Sequence, residues 1–179
     1  ICLKNQSYEH NEFSIVPIRY EDRLEIMKWR NDQIYHLRQD QPLTEKDQNS
    51  YFKNTVATLF QKKNPNQILF SFLRKNICIG YGGLVHINWI DKNAEISFIM
   101  DTELEAEGFE ENWSVYLQLI ENVAFNELYL HKIYIYAFDL RPHLYDVLLS
   151  NNYFLDARLK DQCCFNEKFI DVVIHSKIA

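Results

Sequence analysis

Apolar and polar positions change period several times along the chain, and each change marks an element. The clearest change lies within residues 93–128. Residues 94–100, AEISFIM, form an apolar run too short for a helix before the acidic loop that follows, and they read as a central strand. Beyond the loop, Phe109, Trp113, Tyr116, Leu117, Ile120, Val123, Ala124 and Leu128 recur at three- and four-residue steps. That spacing lays one apolar stripe along a helix, which needs a sheet to cover. A strand handing over to a helix leaves the first helical N–H groups unpaired at the end of the sheet, where anions are attracted. Gly108 either lets the backbone approach such a ligand or simply eases a turn.

The other segments fit around this unit. Residues 14–19, SIVPIR, read as a first strand, with Pro17 confining it to an edge or a strand end. Leu24, Ile26, Met27 and Trp29 suit a short helix, and Asp22 is among the acidic residues that favour its start. A second helix begins near Thr44, where TEKD has the form of a capping box with Asp47 in the usual Glu position, and it stops before Asn64-Pro65. Residues 67–73 and 77–89 form a hairpin, residues 132–138 a strand parallel to 94–100, and residues 141–151 a last helix with Pro142 near its first turn. Residues 155–165 and 169–177 close the chain as a hairpin. The order is strand, two helices, three strands, helix, strand, helix, two strands, so about seven strands and four helices in one α/β (α+β) domain over residues 1–179.

Composition narrows the function. The 179 residues are 47% hydrophobic and 15% aromatic, enough for one substantial core, and only 4 Gly and 4 Pro leave nothing that resembles a linker. With a net charge of -6 and no stripe of Lys and Arg, neither nucleic acid nor an anionic membrane is an expected partner. Apolar runs fall far short of a membrane span, and ICLKNQSYEH has no signal-peptide hydrophobic region. The chain starts at Ile1 without Met, so further residues are expected ahead of it. Cys2, Cys78, Cys163 and Cys164 show no C-x-x-C pairing and fit reduced thiols in a cytoplasmic protein. The six histidines include no close pair at metal-ligand spacing, so no metal is expected.

The element order, with IGYGGL on the third strand, AEISFIM on the fourth and a terminal helix and hairpin, resembles the GCN5-related N-acetyltransferase (GNAT) family across nearly the entire chain. MKWRND and the AEIS strand look most like the branch acting on small amines, nucleotide-linked amino sugars and protein N-termini. The resemblance implies a mostly antiparallel sheet splayed between the fourth and fifth strands. There the pantetheine arm of acetyl-coenzyme A pairs with the backbone around Phe98, Ile99 and Met100. The family's pyrophosphate loop has Arg or Gln, two residues, Gly, one residue, then Gly or Ala. Here Glu105 takes the first place, Gly108 matches, and Glu110 takes the last, just after Phe109. Asp101, Glu103, Glu105, Glu107, Glu110 and Glu111 crowd a site expected to receive a polyanion, and no Lys or Arg occurs between Lys92 and Lys132. Arg141 and Lys132 are candidates to restore positive charge, or are solvated surface residues. Leu148 stands where many members carry the tyrosine that protonates the departing thiolate.

Acetyl transfer needs a neutral amine, a polarised thioester and a donor for the leaving sulfur. Glu95 is the general-base candidate, directly or through water; as a structural residue it would brace the sheet. His86 could relay a proton in the same cleft, or be a satisfied structural histidine. Tyr145, one turn before Leu148, could supply the missing acid if its hydroxyl reaches the cleft. Trp29, Arg30 and Asn31 resemble an acceptor-side segment in which a planar cation and an aromatic hold a sugar or a nucleotide phosphate. Arg30 could instead pair with Asp22, Asp32 or Glu25, and Trp29 could be core. Gly80, Gly82 and Gly83 lie inside a strand and read as bulging or close packing rather than a phosphate loop. The expected activity is acetyl transfer from acetyl-coenzyme A to a primary amine of a small metabolite, a nucleotide-linked amino sugar among the candidates, by direct attack on the thioester. The alternatives are a binding module of the same fold that has lost catalysis, and a transferase acting on a protein N-terminus or using another acyl donor. The oligomeric state is left open, a homodimer included.

Overall fold

The computed structural model describes residues 2–179 and contains one eight-stranded sheet of order β1-β2-β3-β4-β5-β6-β8-β7. The strands are β1 (Tyr8–His10), β2 (Phe13–Pro17), β3 (Ile68–Arg74), β4 (Ile77–Asn88), β5 (Asn93–Met100), β6 (Lys132–Phe138), β7 (Phe154–Phe165) and β8 (Lys168–Ile178). Sequence pattern anticipates seven of these. The eighth, β1, has three residues, too few to show alternation, and exists because it pairs antiparallel with β2. All neighbours are antiparallel except β5 and β6. Their parallel pairing follows from the helical crossover between them.

Four helical segments cover the sheet. α1 is Arg23–Asp32 and α2 is Glu45–Tyr51, prolonged through a wider π turn, Phe52–Val56, and a last turn, Ala57–Leu59. α3 is Phe109–Glu121 with a π extension, Asn122–Glu127, and α4 is Pro142–Ser150 with its proline in the first turn. The capping box at the start of α2 is present: Thr44 accepts from the backbone N–H of Asp47, whose carboxylate accepts from that of Thr44. Asp22 does not cap α1. It is buried, binds Arg19 through two 2.7 Å hydrogen bonds and accepts from the Ser71 hydroxyl at 2.6 Å, so it ties the helix start to β3.

β5 is buried on both faces, which explains its nearly continuous apolar run. Ala94, Ile96, Phe98 and Met100 join Trp113, Tyr116, Leu117 and Leu148 in the core under α3 and α4. Ile99 belongs to the opposite core with Ile26, Trp29, Phe52 and Val56, under α1 and α2. Strand alternation therefore turns Glu95 toward the α1 side. Phe98 stacks on Tyr116 with centroids 3.8 Å apart, and Phe72 meets both rings edge-on at 5.6 Å. Such pairs each add about 0.5–1.5 kcal/mol beyond their buried area. Gly82 makes room for this packing: a Cβ there would lie 2.0 Å from the Ser97 carbonyl and 2.5 Å from the Tyr116 hydroxyl. Close packing is therefore the role of this glycine. No helix among the described residues is long and apolar enough to cross a membrane.

Candidate active site

β5 and β6 share three register pairs, Asn93 with Lys132, Ala94 with Ile133 and Glu95 with Tyr134, and then part. β5 continues along β4 to Met100 and β6 along β8 to Phe138, so the two halves of the sheet follow different neighbours. The edge of β5 from Ile96 to Met100 has no strand on the β6 side. A cleft of about 540 Å³ opens there.

Glu95 is the last residue of β5 paired with β6, and it is buried at the parting. Burial raises its pKa above the ordinary carboxylate value, against the lowering effect of Arg38 and His86. His86 reaches it through an irregularity in β4, where register with β5 is lost between Val85 and Asn88. There His86 adopts φ +50°, a left-handed conformation in which histidine is over-represented, and its Nε2 lies 3.8 Å from Glu95 Oε2. Glu95 and His86, paired only by the sequence reading of chemistry, are thus neighbours.

Arg38 donates to Glu95 Oε1 and lays its guanidinium over the Tyr136 ring, 4.8 Å from the centroid. It is carried by the loop 37–43, which side chains at the end of α1 fix in place. Asn31 brackets Leu43, donating to its carbonyl at 2.9 Å and accepting from its N–H at 2.7 Å. Gln39 donates to Asn31 at 3.1 Å and accepts from Arg30 at 2.9 Å. Arg30 also donates to the Tyr81 hydroxyl at 2.7 Å and lines the cleft; it pairs with none of Asp22, Asp32 or Glu25. The WRN segment therefore divides: Arg30 faces the cleft, Asn31 holds the loop, and Trp29 is buried in the core under α1 and α2.

At the other end, Arg141 just before α4 is buried against Phe109, with 5.1 Å to the ring centroid, and lines the cleft. Its Nη2 donates to both oxygens of Glu105, at 2.8 and 3.0 Å, and its Nη1 lies 3.3 Å from His36 Nε2. Burial, with the Arg141 charge, pushes the His36 pKa down to about 3, so the ring is neutral and accepts from Arg141. Arg141 is thus an internal cation rather than a solvated surface residue. Gly108 caps α3 with φ +101°, in the region that favours glycine. Glu103, Glu107, Glu110 and Glu111 around it are exposed.

Tyr145 does not line the cleft. Its hydroxyl donates to Asp139 at 2.5 Å and its ring stacks on His175, and burial with that bond raises its pKa. The other proposed cation, Lys132, is bound to Asp156 away from the α3 end. Arg38, Tyr136, Tyr81 and His36 also line the cleft, and the sequence alone does not single them out. Arg38 lies in a loop without periodicity, and the tyrosines sit in strand positions that need no special role. Their common feature, a place beside the parting, exists only after folding.

Strands that share a start and then separate beneath a helix N-terminus give the architecture the resemblance implies for an acetyl-coenzyme A-dependent transferase. The family model described as Acetyltransferase (GNAT) domain matches residues 15–171, and the chain belongs to this family. Among solved structures, the chain is similar to a spermidine N-acetyltransferase from Vibrio cholerae in complex with CoA and spermine. The TM-score is 0.82 at 16% identity, covering 94% of this chain and 96% of that one. A probable acetyltransferase aligns with a TM-score of 0.78 at 17% identity over 96% of both chains. A putative acetyltransferase aligns at 0.74 and 12%, over 97% of this chain and 87% of the other. The protein is an acetyltransferase with acetyl-coenzyme A as its acyl donor.

The residues fit that donor. Although the chain carries a net charge of -6, the cleft is lined by Arg30, Arg38 and Arg141 against one carboxylate, Glu95. The acidic loop sends most of its charge outward, where screening over about 8–10 Å blunts repulsion.

Proposed function

We propose that the protein transfers the acetyl group of acetyl-coenzyme A to a primary amine of a small metabolite by direct attack on the thioester, with a nucleotide-linked amino sugar as the favoured acceptor. The observation that carries this reading is the buried carboxylate of Glu95 at the point where β5 and β6 part. Acetyl-coenzyme A supplies the activated acetyl group. Backbone groups along the free edge of β5, around Phe98, Ile99 and Met100, would hold the amides of the pantetheine arm. The start of α3 at Gly108 and Phe109, with Arg141 beside it, would face the phosphates.

Glu95 accepts a proton from the acceptor's ammonium, directly or through water, which leaves the nitrogen lone pair free to attack the thioester carbonyl; the C–S bond then breaks, and the departing coenzyme A thiolate takes up the second proton that the nitrogen loses as the amide forms. Its pKa, raised by burial, brings the carboxylate closer to the range where a base both ionises and binds a proton. His86, on the neighbouring strand β4 with its Nε2 3.8 Å from Glu95 Oε2, is placed to pass that proton onward. Arg30 supplies the planar cation for an acceptor phosphate. The polyamine of the Vibrio cholerae structure supports an amine acceptor in general. Arg30 and Arg38 favour one that also carries negative charge. Action as a single domain and a cytoplasmic location belong to the same proposal, the latter supported by four free cysteines.

The test is Glu95→Gln. Its rate should fall more at neutral than at high pH, because at high pH the amine is already deprotonated. Equal losses at both would remove Glu95 as base.

A further inference from the structure

The Arg38–Glu95 pair stands where two cavities meet. The cleft described above shares Arg38, His86, Glu95 and Tyr136 with a second cavity of about 590 Å³. This second cavity also has Lys132, Tyr134 and Asp156 in its wall. An acceptor whose nitrogen approaches Glu95 has room for its remaining atoms there, and it meets Arg38 on the way. The loop that carries Arg38 is fixed by Asn31, Gln39 and Arg30, so the guanidinium is presented at a set place. Its side chain is half exposed, whereas that of Glu95 is almost fully covered.

We propose that Arg38 selects an acceptor amine bearing a phosphate or carboxylate, by leaving Glu95 for that anion as the acceptor's ammonium takes its place on Glu95. The inference rests on Glu95 being the base. The exchange keeps every charge paired: Arg38 moves from one anion to another, and Glu95 moves from a guanidinium to the ammonium whose proton it then accepts. Arg38 can make a bidentate contact with the incoming anion, the geometry its planar fork suits. A neutral amine forces Arg38 off Glu95 with nothing to receive it. A polyamine does worse, since it brings a second cation beside a displaced guanidinium. Tyr136 keeps the freed guanidinium over its ring during the exchange.

Calorimetry on enzyme preloaded with coenzyme A, so that the donor's phosphate site is filled, tests this with glucosamine 6-phosphate, glucosamine and spermidine as probes. The phosphate-bearing amine should bind about tenfold or more tighter than glucosamine, and spermidine weakest, as a charge-assisted bidentate contact implies. In Arg38→Ala the advantage of the phosphate should vanish, and in Arg38→Glu spermidine should gain on both sugars. Wild-type protein that binds the phosphate-bearing amine no better than glucosamine, whether both bind or neither does, overturns the proposal, as does an advantage that survives in Arg38→Ala. Glu95→Gln separates the two readings. Full turnover in that variant would remove the base while the binding preference, measured independently, still decides the role of Arg38.

Discussion

At the acceptor end of the cleft a buried carboxylate holds an exposed arginine; at the α3 end a buried arginine holds a more exposed carboxylate. The side chain of Glu95 is 7% exposed and that of its partner Arg38 50%. Arg141 is 8% exposed and Glu105 21%. In each pair the covered member is the one the fold fixes, and the open member is the one a ligand can displace. Under the proposed function, one end keeps a negative group for an ammonium, and the other keeps a positive group for a phosphate. The same two residue types, with burial reversed, prepare the cleft for reactants of opposite charge.

The largest effect should come from the buried carboxylate. Glu95→Gln should lower turnover by about 10²-fold or more, the usual worth of a positioned general base, as read from steady-state kinetics at neutral pH. The same variant should unfold at a higher temperature at neutral pH. The folded pKa of Glu95 is raised above its ordinary value, so the ionised form costs stability above that pKa. Below the unfolded pKa both states are protonated and the gain should disappear. A scan of melting temperature against pH checks the sign.

Next comes the buried arginine. Arg141→Met should raise the KM for acetyl-coenzyme A by about tenfold or more, the value of one charge-assisted hydrogen bond, with little change in selectivity among amines. An unchanged KM would place the phosphates elsewhere. Removing the open member at the acceptor end should be gentler. Because Arg38 lowers the Glu95 pKa, Arg38→Ala should move the acidic limb of the kcat/KM profile to higher pH, and a limb that stays or moves down would show that Arg38 does not hold the Glu95 charge. The smallest effect belongs to Glu105→Ala. Freeing Arg141 from its internal anion should tighten coenzyme A binding by about two- to fivefold, the range for a partly exposed ion pair.

The fold was legible in the sequence because its elements announce themselves locally. The hairpin of residues 67–73 and 77–89, the apolar run of AEISFIM, the stripe from Phe109 to Leu128 and the Thr44 capping box each express short-range geometry. β1 was not legible, since three residues carry no period. The site divides in the same way. Glu95 could be read because it interrupts an apolar strand, and Gly108 because it precedes a helix. Arg38 could not, because its place at the parting depends on a loop tied down by Asn31 twelve residues before Leu43 in the chain. Tyr145 shows the converse. A tyrosine one helical turn from the expected position is directed by packing on His175 and by Asp139, not by its distance along the sequence.

The proposed function requires an acidic protein to keep a cationic cleft able to hold a polyanionic donor. Titrating coenzyme A into the protein by calorimetry at low and then high salt tests it most directly. Binding should be saturable, weaken as salt rises and weaken further in Arg141→Met. No heat of binding at millimolar ligand and low salt, with the protein folded, would contradict it.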